Sequence, residues 1–551
     1  MLVCNLHLAG FLANYCDHRR ITTHTRKGWK KQKWFEDLAV GQVWDIAIMI
    51  LGMKKVASGI VPMIAVNRNA PQALHRQIYD AYRKAIVERR LRSGQRVPSS
   101  RSLAVELGVS RFPVLNAYAQ LLAEGYFDSR VGAGTVISLS LPDQAVYPGP
   151  RNAPVLTTPR IVGHVAKHTS LPDTIENAPW RRQWGAFGVG QVALDQFPFH
   201  LWNNMVTRHC RSTTAKSLDY GNPMGLNALR DALALYLRTA RGVRCEAEQI
   251  MIVSGSQQAL DICTRALLDP GSRVWMEEPG YRFARSVFAL NNCRIVQVPV
   301  DREGLNVAAG MKLCRDARAA LVTPSHQYPL GFTMSASRRL QLLEWAERSR
   351  SWILEDDYDS DYRYESLPIS SLQGLDRNSR VVYIGTFSKV LFPSLRLGFL
   401  VIPAELVERF QAVRVAMDIA PASFSQEVLA NFIHEGHFSR HIRRMRLLYR
   451  DRRNALMNGI CSALGSRVEV TGEQAGMHLC VILEGIRDRE IADRAAHANL
   501  WLTPLSSSYV GKVSPQGLIL GFGSTRTEEM PSAIAKLQAV LEANGKSGPR
   551  E

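Results

Sequence analysis

Lys389 lies in "VVYIGTFSKVLFPSLRLGFL", residues 381–400, just after a β-branched run that ends at Gly385. A strand that delivers a lone amine to a Thr/Ser-rich turn, with Arg396 seven residues further on, has two readings. One is a solvated loop lysine. The other is a Schiff-base lysine, whose amine captures a carbonyl compound while Thr386, Ser388 and Arg396 hold a neighbouring phosphate. Acids, aromatics and glycines elsewhere in the chain decide between them.

Schiff-base chemistry with pyridoxal phosphate (PLP) asks four things of a protein: the lysine, an acid for the protonated pyridine nitrogen, an aromatic to stack on the ring, and donors for the phosphate. "SWILEDDYDSDYRY" supplies acids. Asp356 and Tyr358, two apart on a strand, share a face. One can therefore meet the ring nitrogen and the other the phenolic oxygen, and a carboxylate beside a pyridinium stays ionised. Taken alone, "EDDYDSDY" also reads as an acidic surface loop. In "IVSGSQQAL" a strand, then Gly255-Ser256-Gln257, then a helix bring free N–H groups and a positive dipole end to one point. "EEPGY" ends another strand and presents Tyr281 for stacking, and "LDYGNPMGLNALRDALALYL" sets Tyr220 before a Gly-rich turn and a helix.

The elements that must position these residues follow from periodicity. From about 180 to 545, short apolar runs alternate with amphipathic helices, the pattern of an α/β domain with a mostly parallel sheet. "QIMIVSG", "RVWMEEPG", "AALVTPS", "SWILEDDY" and "RVVYIGTFS" are expected as core strands.

In this order the segments resemble the fold-type I aminotransferases over nearly all of 180–545. The resemblance implies that Lys389 forms the Schiff base with PLP and Asp356 pairs with the pyridine nitrogen. It further implies that Tyr358 reaches the phenolic oxygen, Tyr281 stacks, and Ser256, Gln257, Thr386 and Arg396 hold the phosphate. Tyr220 is similar to the tyrosine that reaches the phosphate of a partner subunit, which implies a head-to-tail homodimer. "TPSHQYPLG" at 323–331 lacks the usual asparagine at the phenolic oxygen, leaving His326 or Gln327 to stand there. The arginine that clamps a substrate carboxylate is also missing, since "GLILGFGSTR" is apolar until Arg526. Arg282 and Arg285 are the remaining candidates for an effector's carboxylate.

Residues 72–138 form a separate, basic block. Leu74, Ile78, Tyr82 and Ile86 repeat at helical spacing. In "VPSSRSLAVELGV" Ser99 or Ser100 caps a second helix and Gly108 closes it; Ser110 then caps a third, "RFPVLNAYAQLLAEG", whose Pro113 is tolerated in the first turn. Two short helices joined by a Gly turn make a helix-turn-helix, and "GYFDSRVGAGTVIS" reads as a hairpin wing. The block resembles the GntR winged helix, whose signature stands here as "VPSSRSLAVELGVSRFPVLNAYAQLLAEGY" and "GAGT". That implies DNA contacts at Arg101, Ser110, Arg111 and Gly132. Winged helix, linker and aminotransferase-like domain in this order resemble the MocR/GabR group of bacterial regulators.

Composition agrees. The chain has 551 residues and a net charge of +19, which suits a polyanionic partner. Nine scattered cysteines show no metal-ligand spacing, so no metal is expected and the setting is reducing, hence cytoplasmic. No run approaches the roughly 20 apolar residues of a membrane span. Four regions are expected: a poorly structured basic extension at 1–62, a winged helix-turn-helix at 63–138, a Pro-rich linker at 139–175 and an aminotransferase-like PLP domain at 176–545. The extension lacks amphipathic period, so a chain starting at Met63 is expected to keep the fold, PLP and operator choice. The fold class is thus an α+β winged helix followed by an α/β PLP-dependent transferase fold-type I domain. The function expected is a regulator that binds operator DNA as a homodimer and senses an amine metabolite or PLP, with at most a residual aminotransferase half-reaction. The alternative is an active aminotransferase with an accessory DNA-binding domain.

Overall fold

A computed structural model describes residues 64, 66–88, 90–130, 134–139, 141, 166, 185–365, 369–483, 485–511 and 513–545. The chain divides into two compact units, Met1–Gly163 and His164–Glu551. The expected extension at 1–62, most of the linker, and Gly132 lie outside the described residues.

In the first unit, α1 (Leu74–Val87) buries Ile78, Tyr79, Tyr82, Ala85 and Ile86 along one face. Helices α2 (Ser100–Glu106) and α3 (Arg111–Ala123) are the expected pair, and β1 (Phe127–Arg130) pairs antiparallel with β2 (Gly134–Ile137) as the wing. Tyr82, Tyr118 and Phe127 meet edge-on at 5.3–5.8 Å and lock α1, α3 and β1 together. Ser99 caps α2 by accepting from the Ser102 N–H at 3.1 Å. The cap expected of Ser110 differs: the residue stands at the N-cap position with extended backbone, but its hydroxyl makes no cap hydrogen bond.

The second unit is built on an eight-stranded sheet. Its strands are β3 (Ile250–Val253), β4 (Arg273–Glu278), β5 (Arg294–Asp301), β6 (Gly304–Leu305), β7 (Ala319–Val322), β8 (Trp352–Asp357), β9 (Val381–Thr386) and β10 (Gly398–Val401), in the order β3-β10-β9-β8-β7-β4-β5-β6. The five expected core strands are all present. The run from β9 to β5 is parallel, but β10 lies antiparallel between β3 and β9, so the sheet is mixed. Strands β3, β7 and β10 are buried at every residue, the continuous apolar pattern of strands covered on both faces. Helices α4 (Asn227–Arg241) and α5 (Ser256–Leu267) are among those covering it.

A second sheet, not anticipated from the sequence, is fully antiparallel: β11 (Glu469–Thr471), β12 (His478–Ile482), β14 (Gly517–Gly521) and β13 (Thr503–Pro504). It packs with helices α6 (His437–Leu464) and α7 (Met530–Gly545) into a core of its own around Tyr449, Leu479 and Phe522. The turn after β4, the ends of β8 and β9 and the start of β12 contribute side chains to one cavity.

Candidate functional site

That cavity, about 440 Å³, is lined by Lys389 together with Ser256, Gln257, Tyr281, Asp356, Tyr358, Thr386, Ser388 and Arg396. Parallel strands that end side by side deliver their following loops to one point, which is where open α/β sheets hold ligands. Residues spread over 141 positions of sequence are thereby gathered from the ends of β8 and β9, the turns after β4, β8 and β9, and the start of α5.

The Lys389 amine donates to the Gly190 carbonyl at 3.0 Å. A Cβ at Gly190, whose φ is +74°, would stand 2.5 Å from Nζ, so a larger residue there would push the amine aside. Burial lowers the basicity of the amine, opposed by the charges of Asp359 and Asp356. A buried, less basic lysine is the state in which the amine acts as a nucleophile.

Burial pushes the Asp356 carboxyl up to about 7, with Asp357, Glu277 and Asp359 adding to it and Lys389 opposing. Its Oδ1 is buried and has no hydrogen-bond partner among the described residues. An unmade buried hydrogen bond costs about 1–3 kcal/mol, and a protonated ring nitrogen is a donor that relieves it and restores the carboxylate. Folded protein without a cofactor holds this proton more tightly than the unfolded chain, where the group titrates near 3.8. Its contribution to stability is therefore complete below pH 3.8 and lost as the pH climbs through about 7. Asp356→Asn is expected to remove that part of the slope of Tm against pH in cofactor-free protein. Glu277 and Glu355, both pushed to about 7 by burial, leave a remainder in the same direction. An unchanged curve would place the proton elsewhere.

The opposite character gathers around Gly255, which precedes α5. A Cβ there would lie 3.5 Å from the Arg396 guanidinium. The α5 N-terminus, the hydroxyls of Ser256, Thr386 and Ser388, and Arg396 are of the kind that could cradle a phosphate dianion. Tyr281 is fixed by Gln257, whose amide donates to its hydroxyl at 3.3 Å. Behind Asp356, Asp357 takes a buried ion pair from Arg241 (2.8 and 3.0 Å) and a hydrogen bond from the Tyr383 hydroxyl. Arg241 also donates to Ser325 Oγ at 3.0 Å and the Ile369 carbonyl at 3.1 Å.

Other sequence candidates lie apart. Tyr220 is 78% exposed and does not line the cavity. Arg282 lines it, whereas Arg285 donates to the Ser508 carbonyl and stands 3.6 Å from Glu278. Arg526 sits 3.6 Å from Asp195, outside the cavity. Of the two residues weighed for the missing asparagine, His326 touches the Tyr358 hydroxyl at 3.0 Å, while Gln327 turns to the Pro279 carbonyl and Glu277. Sequence reasoning missed Gly190, Asp359, His478 and Ser507. Asp359 was legible as a third acid of "EDDYDSDY"; the other three carry no local signal. In the winged unit Arg101 and Arg111 are exposed, and Arg111 Nε donates to Ser100 Oγ at 3.1 Å across the helix pair.

Comparison with known proteins finds a family match in each unit. Residues 186–537 match the family Aminotransferase class I and II, and residues 74–137 match Bacterial regulatory proteins, gntR family. The probable rhizopine catabolism regulatory protein MocR of Rhizobium meliloti is 37% identical over 492 residues, 88% of this chain and 97% of its own length. The chain belongs to the MocR-type transcription regulators. Another relative, the pyridoxine biosynthesis transcriptional regulator PdxR of Corynebacterium glutamicum, is 30% identical over 86% of this chain and 97% of its own. Among solved structures, the kynurenine aminotransferase of Pyrococcus horikoshii in complex with PMP matches with a TM-score of 0.60 at 27% identity, covering 65% of this chain and 90% of that one. LysN of Thermus thermophilus, complexed with N-(5'-phosphopyridoxyl)-L-leucine, matches equally at 0.60 and 27%, covering 65% and 92%. A MocR-type chain thus joins a DNA-binding winged helix to a domain of the PLP-dependent aminotransferase fold. Among the described residues no helix is long and apolar enough to cross a membrane.

Proposed function

We propose that the large unit holds PLP on Lys389 and that the protein uses it to sense an amine metabolite, or PLP itself, while bound as a head-to-tail homodimer to operator DNA in the bacterial cytoplasm. The observation that carries this reading is the unpartnered Asp356 oxygen in the same buried cavity as Lys389 and the Arg396 cradle. Bound PLP supplies an aldehyde for an amine to capture and an electron-poor ring. The protein's residues do the rest. Lys389 presents the amine, Asp356 takes the ring N–H, and Tyr281 covers the ring face. Arg396, Ser256, Gln257, Thr386 and Ser388 bind the phosphate. Arg282 offers the effector's carboxylate a guanidinium, with Arg285 behind it, and the exposed Tyr220 is free to reach a partner subunit. An effector amine that competes with Lys389 changes which conformation is favoured, and so the population competent for DNA.

The alternative is an active aminotransferase. Steady-state turnover with a panel of amino donors separates the two: the regulator reading expects none beyond a single half-reaction. DNA binding has its own test. Alanine at Arg101 or Arg111 is expected to weaken operator binding by about 1–3 kcal/mol where that arginine reads a base, measured by fluorescence anisotropy. The visible spectrum should stay unchanged, because these residues belong to the other compact unit. Full operator binding by the double variant would remove recognition from this helix pair.

A further inference from the structure

His326 occupies a confined place beside the cavity. A Cβ on Gly476, whose φ is +76°, would stand 2.1 Å from the ring's Cε1, so the imidazole fits only because that residue is glycine. Its Nδ1 faces three oxygens: the Tyr358 hydroxyl at 3.0 Å and both Asp359 carboxyl oxygens at 3.1 Å. Its Nε2 is buried and has no partner among the described residues.

This asymmetry favours one placement of the ring hydrogen. A hydrogen on Nε2 alone would be a buried donor with no acceptor, and would leave the Nδ1 lone pair facing a carboxylate. A hydrogen on Nδ1 instead serves Asp359, leaving on Nε2 only an unfilled acceptor. With Nδ1 already a donor, the Tyr358 oxygen at 3.0 Å can only accept from it. The Tyr358 hydrogen is then free to point away from His326, into the cavity that Tyr358 lines.

We propose that His326, oriented by Asp359, is a positioning residue that makes Tyr358 a hydrogen-bond donor toward the cofactor's phenolic oxygen, and so sets the pH at which the Lys389–cofactor linkage takes up its proton. The inference rests on PLP binding as read above. A donor to the phenolic oxygen stabilises its anion, which is most exposed when the linkage is unprotonated. The tyrosine therefore lowers the pH of that protonation. Other ionisable groups face this chain of hydrogen bonds: Asp356 and Glu277 from the large sheet, Tyr328 and Tyr364 beside it, His478 from β12, and Lys389. Burial pushes His478 down to about 3, so it stays neutral over the range of the test, and the other groups are common to every variant compared.

The test is a spectrophotometric pH titration of the full chain loaded with PLP. His326→Leu is expected to move the spectral transition to higher pH by about 1–2 units, the size of a hydrogen bond to a charged group. Tyr358→Phe should shift it in the same direction, and the double variant no further. His326→Asn, whose amide can donate from nearly the Nδ1 position, should titrate close to the unmodified protein. Asp359→Asn should give a smaller shift of the same sign, and it keeps the proposal testable if the leucine variant does not fold. A His326→Leu or Asp359→Asn protein that titrates like the unmodified chain, while Tyr358→Phe shifts, would overturn the relay and leave PLP binding standing. Absence of any visible band in the unmodified protein would overturn both.

Discussion

Lys389→Ala is expected to abolish both the visible band of the PLP-loaded protein and its trapping by borohydride, while the protein stays folded. Among the described residues that line the cavity, Lys389 is the single lysine. Its loss removes the covalent anchor, but the phosphate cradle at Arg396, Ser256 and Thr386 and the Asp356 oxygen remain. PLP should therefore still bind, reversibly, with the absorption of a free aldehyde. Folding should survive, because among the described residues the one hydrogen bond removed is that to the Gly190 carbonyl, worth about 1 kcal/mol net. Peptide mapping after borohydride treatment gives the answer at residue resolution. A reduced adduct on any other lysine, or a borohydride-reducible imine band in the alanine variant, would move the site.

The second large effect concerns Arg241. Its guanidinium and the Asp357 carboxyl are 5% and 2% exposed, and the pair lies directly behind Asp356. A buried pair adds little over a well-packed apolar substitute, yet removing one member strands the other charge. Among the described residues, Arg241→Ala leaves Asp357 with the Tyr383 hydroxyl and takes a donor from Ser325 Oγ and the Ile369 carbonyl. A loss of about 3–5 kcal/mol is expected in urea denaturation. Adding Asp357→Asn to Arg241→Ala should recover part of it, because an amide carries no stranded charge. A loss below about 1 kcal/mol, the level of an exposed ion pair, would mean that water reaches Asp357. The cofactor has a stake in the same pair. With Arg241 gone, a second uncompensated negative charge stands beside Asp356, so PLP binding should weaken with stability.

How far the sequence could lead is visible residue by residue. The turn holding Lys389, the Asp356–Tyr358 pair, the Gly255–Gln257 turn and Tyr281 were legible because each is a strand end followed by a local signal. Neighbouring parallel strands then place such ends together without further instruction. Helices α1 to α3 were legible because apolar spacing is a local signal, as is the Ser99 cap of α2. Gly190 was not, because it meets Lys389 across 199 positions, through a segment pinned by single bridges from Ala186 to Leu500 and from Phe187 to Gly521. His478 was hidden because it begins β12, in a sheet whose short strands carry no period long enough to read. Strand β10 was missed because the four residues "GFLV" give no sign that they run against their neighbours. Arg285 shows the converse. Spacing put it near Tyr281, but the carbonyl of Ser508 claims its guanidinium, a contact that only packing creates.

The central claim is that chemistry at Lys389 governs DNA binding, and operator affinity measured across an amine panel tests it most directly. Full-length PLP-loaded protein and its Lys389→Ala variant should be titrated against the DNA upstream of the protein's own gene, each with and without every amine. At least one amine is expected to change the affinity of the unmodified protein by about 5–150-fold, the usual range of coupling between two sites, with no steady-state turnover of that amine. The Lys389→Ala variant should show no such change. The same amine response in both proteins, or continuous turnover with no change in DNA affinity, would contradict the account.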